Sequence, residues 1–421
     1  MGAHDVDLEL PKAEDDDPMS GKSTERPKLR VMQVILDLDV GGAEEVVRTL
    51  VKYLASDDCI PVVCTFKDGP LRQEIERLSV KVEVLPSRRY SVIALPLFVI
   101  DMVRIWRALA RLVREYDVDV MQTHLLRSLD FLVLCLRYTP PLRVVLWTFH
   151  NAKFALSEIE LPRYKWLLRP KNYLHHLLYR LASPLVDGFV AVSDEVREAM
   201  VDTIGPIGDR ITVICNGVDV DRYGRPVDEA SLRDQLGLDA SARLVAVVAT
   251  LKEQKGHHYL VEAMRTVVPQ HPDVHALFIG NGVLRTQLQE QVKRLNLDHH
   301  VHFLGNRHDV PELLAASDLF VLPSLWEGLA MALLEAMASG KPIVATSVSG
   351  TNQVMIPNET GLVVPPGDTQ ALAKAMLQLL SNPTQAQTMG QAARRHVEAH
   401  FSAQKQAHEH LALYHRLLDH R

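Results

Sequence analysis

Short apolar runs alternate with longer amphipathic stretches along almost the whole chain. The first run, residues 29–38 (LRVMQVILDL), passes through a glycine-rich turn into a helical pattern from about residue 43 to 55. Strand-length runs follow at 61–66, 80–85, 118–123, 144–149 and 188–192, with a short one at 211–214. A second series occupies 244–249, 274–279, 301–303, 319–322, 342–345 and 361–364. This alternation of strand and helix predicts, twice over, a parallel sheet covered by helices. Residues 216–227, broken by Gly217, Gly224 and Pro226, read as the connection between the two halves. Ligands of open α/β sheets bind beyond the carboxyl ends of the strands, so two such units facing each other make one cleft.

Composition narrows the class. At 421 residues, 47% hydrophobic and 23% charged, the chain is long enough for two soluble domains, each with its own core. A net charge of -6 argues against a general nucleic-acid binder. Residues 1–28 carry Asp5, Asp7, Glu9 and Glu14 to Asp17 among prolines and no apolar run, and read as a disordered acidic tail without a signal peptide. Within them Gly21-Lys22-Ser23-Thr24 resembles a P-loop ending, but Asp16 stands where the first glycine is needed and no strand precedes it. Cys59, Cys64, Cys135 and Cys215 lack metal-site spacing and fit reduced thiols in a cytosolic protein. The histidine doublets His257-His258 and His299-His300 form no zincin pattern.

The richest stretch is 325–340, LWEGLAMALLEAMASG. It follows the buried run 318–322 and a Pro323-Ser324 loop, and its good helix formers predict a helix over 329–337. Glu327 then precedes the helix and Glu335 lies within it. Eight helical residues rise about 12 Å, the scale of the distance from a ribose across a diphosphate to a hexose. The free N–H groups expected at Leu329, Ala330 and Met331, beside Gly328, would lie between the carboxylates, where a helix N-terminus favours anions. A lone pair of this spacing also suits two solvated glutamates on an amphipathic helix, and the residues elsewhere in the chain decide between the two.

With these residues in view, the chain closely resembles the retaining glycosyltransferases of family four, whose GT-B fold sets two Rossmann-like domains face to face. The likeness covers nearly everything after residue 28. Gly41-Gly42-Ala43-Glu44 resembles the family's first glycine-rich loop, Thr148-Phe149-His150-Asn151 its strand-end histidine, and Val192-Ser193 its serine motif. The segment 213–219 (VICNGVD) resembles the junction motif, Lys255-Gly256 the phosphate-binding Lys-Gly, and Glu327 to Glu335 the signature. The resemblance implies an acceptor-side domain over 29–220, a donor-nucleotide domain over 221–403, and a terminal helix over 404–421 that crosses back. Departures are Thr250-Leu251 where Arg-Leu is usual, with Lys252 near enough to substitute, Ala330 for Gly and Gln353 for Glu.

The resemblance further implies transfer of a sugar from a nucleoside diphosphate donor to a glycan or lipid-linked acceptor, in cell-surface polysaccharide or glycolipid synthesis. The nucleotide sugar is a substrate, and no cofactor or metal is expected. Glu335 would bind ribose, Lys255 the diphosphate, and Glu327 with His150 the transferred sugar. Lys255, read as opening the helix after 244–249, could hold the diphosphate jointly with that helix's N-terminus. Gly42, and Gly280 and Gly282 around Asn281, would permit close approach of the chain to the donor, although plain βα turns look alike. His124, also at a strand end, is the second choice for His150's role. Asp37/Asp39, Asp117/Asp119 and Asp219/Asp221 are Asp-x-Asp pairs, the mark of a metal-dependent alternative fold, but none sits as that motif requires. Thr250 and Gln353, at usually charged positions, motivate the alternative of a sugar-nucleotide-binding partner subunit without its own catalysis.

A basic stripe of Arg104, Arg107, Arg111 and Arg114 opposes Val99, Met102, Trp106, Leu109 and Val113, and a second mixture of Lys, Arg and aromatic residues fills 153–180. Cationic amphipathic surfaces suit anionic lipid, which would place the protein in the cytoplasm with a peripheral contact on the inner face of the membrane. An ordinary basic outer helix fits the stripe equally well. The run 91–100, interrupted by Pro96, is too short to span a bilayer.

Overall fold

The computed structural model describes residues 28–39, 41–56, 58–85, 95–124, 128–150, 168–205 and 207–420. The acidic tail before Lys28, the side chain of Val99 and most of the second basic stretch, through Lys171, lie outside the described residues and side chains.

Two all-parallel sheets carry the fold. The first contains β1 (Leu29–Ile35), β2 (Cys59–Thr65), β3 (Lys81–Val84), β4 (Val120–His124), β5 (Val144–Phe149), β6 (Gly188–Ala191) and β7 (Ile211–Val213), in the order β3-β2-β1-β4-β5-β6-β7. The second contains β8 (Arg243–Val248), β9 (Val274–Ile279), β10 (Val301–Gly305), β11 (Leu319–Leu322), β12 (Ile343–Thr346) and β13 (Leu362–Val364), in the order β10-β9-β8-β11-β12-β13. Each order reverses direction once, between β1 and β4 and between β8 and β11, and the crevice at such a reversal is where open α/β sheets bind ligands. Every run expected from the apolar pattern is a strand, with ends displaced by at most three residues.

The sheets are buried on both faces, as helix-covered parallel sheets must be. Val31, Val34, Val120, Val144, Val245 and Val321 are wholly buried. Trp147 on β5 packs edge-on against Phe131, Tyr179 and Phe189 at 5.8, 5.1 and 6.0 Å between ring centres, pinning the helix Leu168–Ala182 to the sheet. Each such pair adds about 0.5–1.5 kcal/mol beyond its buried area. On the helix Leu95–Glu115, Leu109 and Val113 are buried in the core, while Arg104, Arg107, Arg111 and Arg114 face solvent. The apolar side of that helix is therefore spent on the sheet.

The chain crosses to the second sheet after β7 and returns at the start of the last helix, Ala403–Asp419. The two crossings are zipped together: Val218 N–H donates to Phe401 O at 2.9 Å, and Ala403 N–H to Val218 O at 2.9 Å. Gly217 is required here, because a Cβ would stand 2.5 Å from Ser402 O and 2.7 Å from Ala403 Cα. The last helix then lies against the first sheet, where Tyr414 is wholly buried and Leu413 and Ala407 pack with Val120 and Val144.

Candidate functional site

The carboxyl ends of both sheets open on one cavity of about 310 Å³. From the first sheet it receives Gly42, at the start of the helix Gly42–Leu54, and His150, the residue after β5. From the second it receives Lys255, Gly280, Glu327, Leu329, Ala330, Met331 and Glu335. Residues separated by almost three hundred positions thus share one wall. Gly282 and Gly328 do not line it. The smallness of Gly282 serves the protein's own backbone, since a Cβ there would meet Leu251 O at 2.3 Å, while Gly328 offers its carbonyl to the close approach of Gly350, whose Cβ would come within 2.6 Å of it. Gly280 reaches the wall with φ +135°, and a Cβ there would also meet Ala249 O at 2.2 Å, so both backbone and space call for glycine.

Lys255 does not open the following helix. It ends a short turn, Glu253–Lys255, and Gly256 at φ +61° separates it from the helix His257–Val267. A Cβ on Gly256 would lie 2.0 Å from Pro323 O, so the turn is pressed against the loop after β11. Leu325 N–H donates to Gln254 O at 2.8 Å and Gln254 Nε2 to Trp326 O at 2.9 Å, locking the two loops together. The result is an ion pair between Lys255 Nζ and Glu327 Oε1 at 2.5 Å, with Ser324 Oγ donating to the same oxygen at 2.6 Å.

The helix of the signature segment runs Met331–Ala338, two residues later than its composition predicts. Ala330 is its extended N-cap, and Asn216 Nδ2 donates to Leu329 O at 3.5 Å across the cleft. The unpaired N–H groups of the first turn consequently start at Met331 rather than at Leu329, because Leu333 N–H already turns back to Ala330 O. With no side chain capping this end, the positive end of the helix faces the cavity that Met331 lines.

Glu335, on the next turn, is buried. Burial raises its pKa to about 7, Glu45 adds to the rise, and a hydrogen bond with Tyr223 together with Arg222 and Arg48 opposes it. Glu45 itself holds Arg48 and, at 2.9 Å, Arg222. Sequence reading missed Glu45, Arg222 and Tyr223, which line the cavity. Their signal was faint: Glu45 adjoins the glycine-rich loop, and Arg222-Tyr223 follows the junction motif.

His150, buried in the cavity lining contributed by the first sheet, has Nε2 3.0 Å from Nδ1 of His124. Burial, then His410, lowers the His150 pKa to about 4. His124 is pushed well below its usual range by burial, then by His150 and His410. Gln33 and Gln122, polar residues inside the apolar strands β1 and β4, join this group and were also missed. A glutamine within a buried parallel strand must find a partner, and that was the available signal.

Thr250 and Lys252 line the cavity beside Lys255. Gln353 does not. It bridges to the first half instead, accepting from Asp194 N–H at 3.3 Å and donating to Cys215 Sγ at 3.3 Å. Of the Asp-x-Asp pairs, Asp39 binds Lys67, Asp119 accepts from Arg30 N–H at 3.0 Å, and Asp219 takes Lys52 at 2.5 Å and Tyr53 at 2.8 Å. These carboxylates hold elements of the first half together or join it to the crossing.

Comparison with known proteins agrees with this geometry. Residues 40–222 match the family model described as Glycosyltransferase Family 4, and residues 228–396 the one described as Glycosyl transferases group 1. Over 280 residues the chain is 26% identical to the Escherichia coli UDP-Gal:alpha-D-GlcNAc-diphosphoundecaprenol alpha-1,3-galactosyltransferase, covering 65% of this chain and 69% of that protein. It is 33% identical over 171 residues to the lipopolysaccharide core biosynthesis mannosyltransferase LpsB of Rhizobium meliloti, 39% of this chain and 49% of that one. The match thus spans about half the length of LpsB. Among solved structures, Anabaena HepE in complex with UDP-glucose superimposes with a TM-score of 0.74 at 23% identity, over 91% of this chain and 99% of HepE. Sucrose-phosphate synthase from Thermosynechococcus elongatus gives 0.74 at 22%, over 94% and 100%. The two facing parallel sheets are the GT-B fold.

Proposed function

Because the chain belongs to the family-four, group 1 glycosyltransferases, we propose that it moves a sugar from a nucleoside diphosphate donor to a glycan or lipid-linked acceptor, with retention at the anomeric carbon. One observation carries the reading: two buried carboxylates, a lysine, an uncapped helix start and a histidine converge on a single cavity from both halves.

In this reading Glu335 accepts from the ribose hydroxyls, and Lys255 with the N–H groups of Met331 and Ala332 holds the diphosphate. Glu327 and His150 contact the transferred sugar. The bond from the anomeric carbon to the phosphate oxygen breaks, and its electron pair leaves on the diphosphate. The acceptor hydroxyl attacks from the same face, and its proton passes to the departing phosphate oxygen. Lys255 and the helix start stabilise the charge that builds there, a fixed-dipole contribution that needs no reorganisation during the step. The donor is consumed as a substrate, and the proposed chemistry calls on no cofactor.

The names of similar proteins, a diphosphoundecaprenol galactosyltransferase and a lipopolysaccharide core mannosyltransferase, support an acceptor in cell-surface polysaccharide or glycolipid synthesis. An inner-face, peripheral location fits that acceptor. Among the described residues no helix is long and apolar enough to cross a membrane. The exposed Arg104 to Arg114 stripe offers a surface for anionic lipid, and Tyr173, Leu174 and Leu181 on the helix Leu168–Ala182 of the same half are exposed as well. The alternative of a binding-only partner subunit loses one of its two motives, since Gln353 lies outside the cavity.

Calorimetric titration with UDP- and GDP-sugars tests the reading. It expects binding of at least one donor or of the free nucleoside diphosphate. The absence of all such binding would overturn it.

A further inference from the structure

A buried line of polar side chains runs from the last helix to the cavity wall. Gln122 Nε2 lies 2.6 Å from Thr148 Oγ1, the Tyr414 hydroxyl donates to Gln122 Oε1, and Gln33 Nε2 donates to the Tyr414 hydroxyl at 3.0 Å. Gln33 Oε1 in turn lies 2.7 Å from His124 Nε2, and His124 Nδ1 3.0 Å from His150 Nε2. All of these residues are buried, so each contact must pair a donor with an acceptor.

That requirement fixes where the protons sit. Both rings are held neutral by burial, His124 also by His150 and His410 and His150 also by His410, so each carries one ring proton. The Gln33 carbonyl can only accept, hence His124 is protonated on Nε2 and presents a lone pair at Nδ1. His150 must then donate from Nε2, which leaves its Nδ1 as a bare lone pair. His150 Nδ1 is buried and makes no hydrogen bond within the protein, while its ring lines the cavity. The reverse sense, with both amides turned, would place an unpaired N–H at that atom. A buried orphan donor is rarer than a buried under-used acceptor.

We propose that His124, held by Gln33, is a positioning residue that fixes His150 in the Nε2–H form, so that Nδ1 accepts a hydrogen bond from a hydroxyl of the bound sugar. The role rests on the glycosyl-transfer reading, but the proton placement does not. The last helix gains a part in the site, because Tyr414 sets the amide that sets both rings.

The test is nitrogen NMR of protein labelled at histidine, without ligand. His150 is expected as a single Nε2–H form, and an Nδ1–H form or an even mixture overturns the proposal. Gln33→Met, which removes the acceptor while keeping the volume, should mix the two forms. Its kcat should fall roughly tenfold, with the donor KM within about twofold of the parent. His124→Asn keeps a side-chain acceptor near the position of Nδ1 and should retain more activity than His124→Leu. Equal losses in these two, or an unchanged His150 spectrum in Gln33→Met, would contradict a positioning role. An Nε2–H His150 in a protein that binds no nucleotide sugar would instead refute the transferase reading and leave the proton placement standing.

Discussion

Lys255 and Glu327, 72 positions apart, form an ion pair at the floor of the cleft, with the lysine side chain 16% and the glutamate 5% exposed. The cation assigned to the diphosphate is therefore already engaged by the carboxylate assigned to the sugar. Donor binding has to share or loosen that pair.

The two residues should respond to mutation in opposite directions. Lys255→Ala is expected to weaken nucleoside diphosphate binding by about 1.5–3 kcal/mol, the range for hydrogen bonds to a charged group. Glu327→Ala frees the lysine, so it should leave that affinity equal or higher while abolishing transfer. Calorimetry of both variants checks this, and a matching loss of affinity in Glu327→Ala would refute it. Removing only the lysine leaves a buried carboxylate unpaired, so Lys255→Ala should also melt below Lys255→Ala/Glu327→Gln.

Glu335 makes the site sensitive to pH. Its carboxyl, raised to about 7 by burial and Glu45, must be ionised to play the proposed part of accepting from two ribose hydroxyls. A nucleoside without phosphates should bind more weakly as pH falls through 7, by up to about tenfold per unit. The folded, empty protein holds a proton that the unfolded chain has lost between pH 4.5 and about 7, so this group's contribution to stability falls as pH rises through that window. Its full extent is about 3 kcal/mol. Glu335→Gln should flatten both profiles, and an unchanged pH slope in that variant would assign the effect elsewhere.

Much of this was legible in the sequence, and the failures have physical causes. Strand positions follow from apolar runs that no other element explains. The paired Glu327 and Glu335, Lys255 and His150 all reach one cavity. The signature helix starts at Met331 because tertiary contacts outweigh helix propensity: Asn216 takes the Leu329 carbonyl, and Gly350 packs against Gly328. Gly282 carries a backbone crossing that composition cannot distinguish from a ligand approach. The contact from Gln33 to Tyr414 joins residues 381 positions apart, a pairing that no local pattern announces.

Gly217 tests the zipped crossings. Gly217→Ala would drive a Cβ into Ser402 O and Ala403 Cα, so it should destabilise the protein by about 1–3 kcal/mol in thermal unfolding. Gly208→Ala meets nothing within 4 Å and serves as the neutral control. Equal melting of the two variants would mean that the backbone at Gly217 relaxes freely.

If the exposed arginine stripe docks on anionic lipid, the attraction should weaken as salt shortens a Debye length of about 10 Å at 0.1 M. Replacing Arg104, Arg107, Arg111 and Arg114 with Gln should then lower sedimentation with anionic vesicles and activity on a lipid-linked acceptor. Donor affinity should not change, because Lys255 and Glu335, proposed to bind the donor, belong to the other half. Unchanged sedimentation would leave the stripe as solvated surface and favour a soluble acceptor.

The most direct test of the account is release of nucleoside diphosphate by the purified chain, given a donor found by titration and a lipid-linked or glycan acceptor. The account predicts many turnovers per protein molecule, dependent on acceptor and absent in Glu327→Ala. Tight donor binding with no acceptor-dependent release, or release that survives in Glu327→Ala, would contradict it.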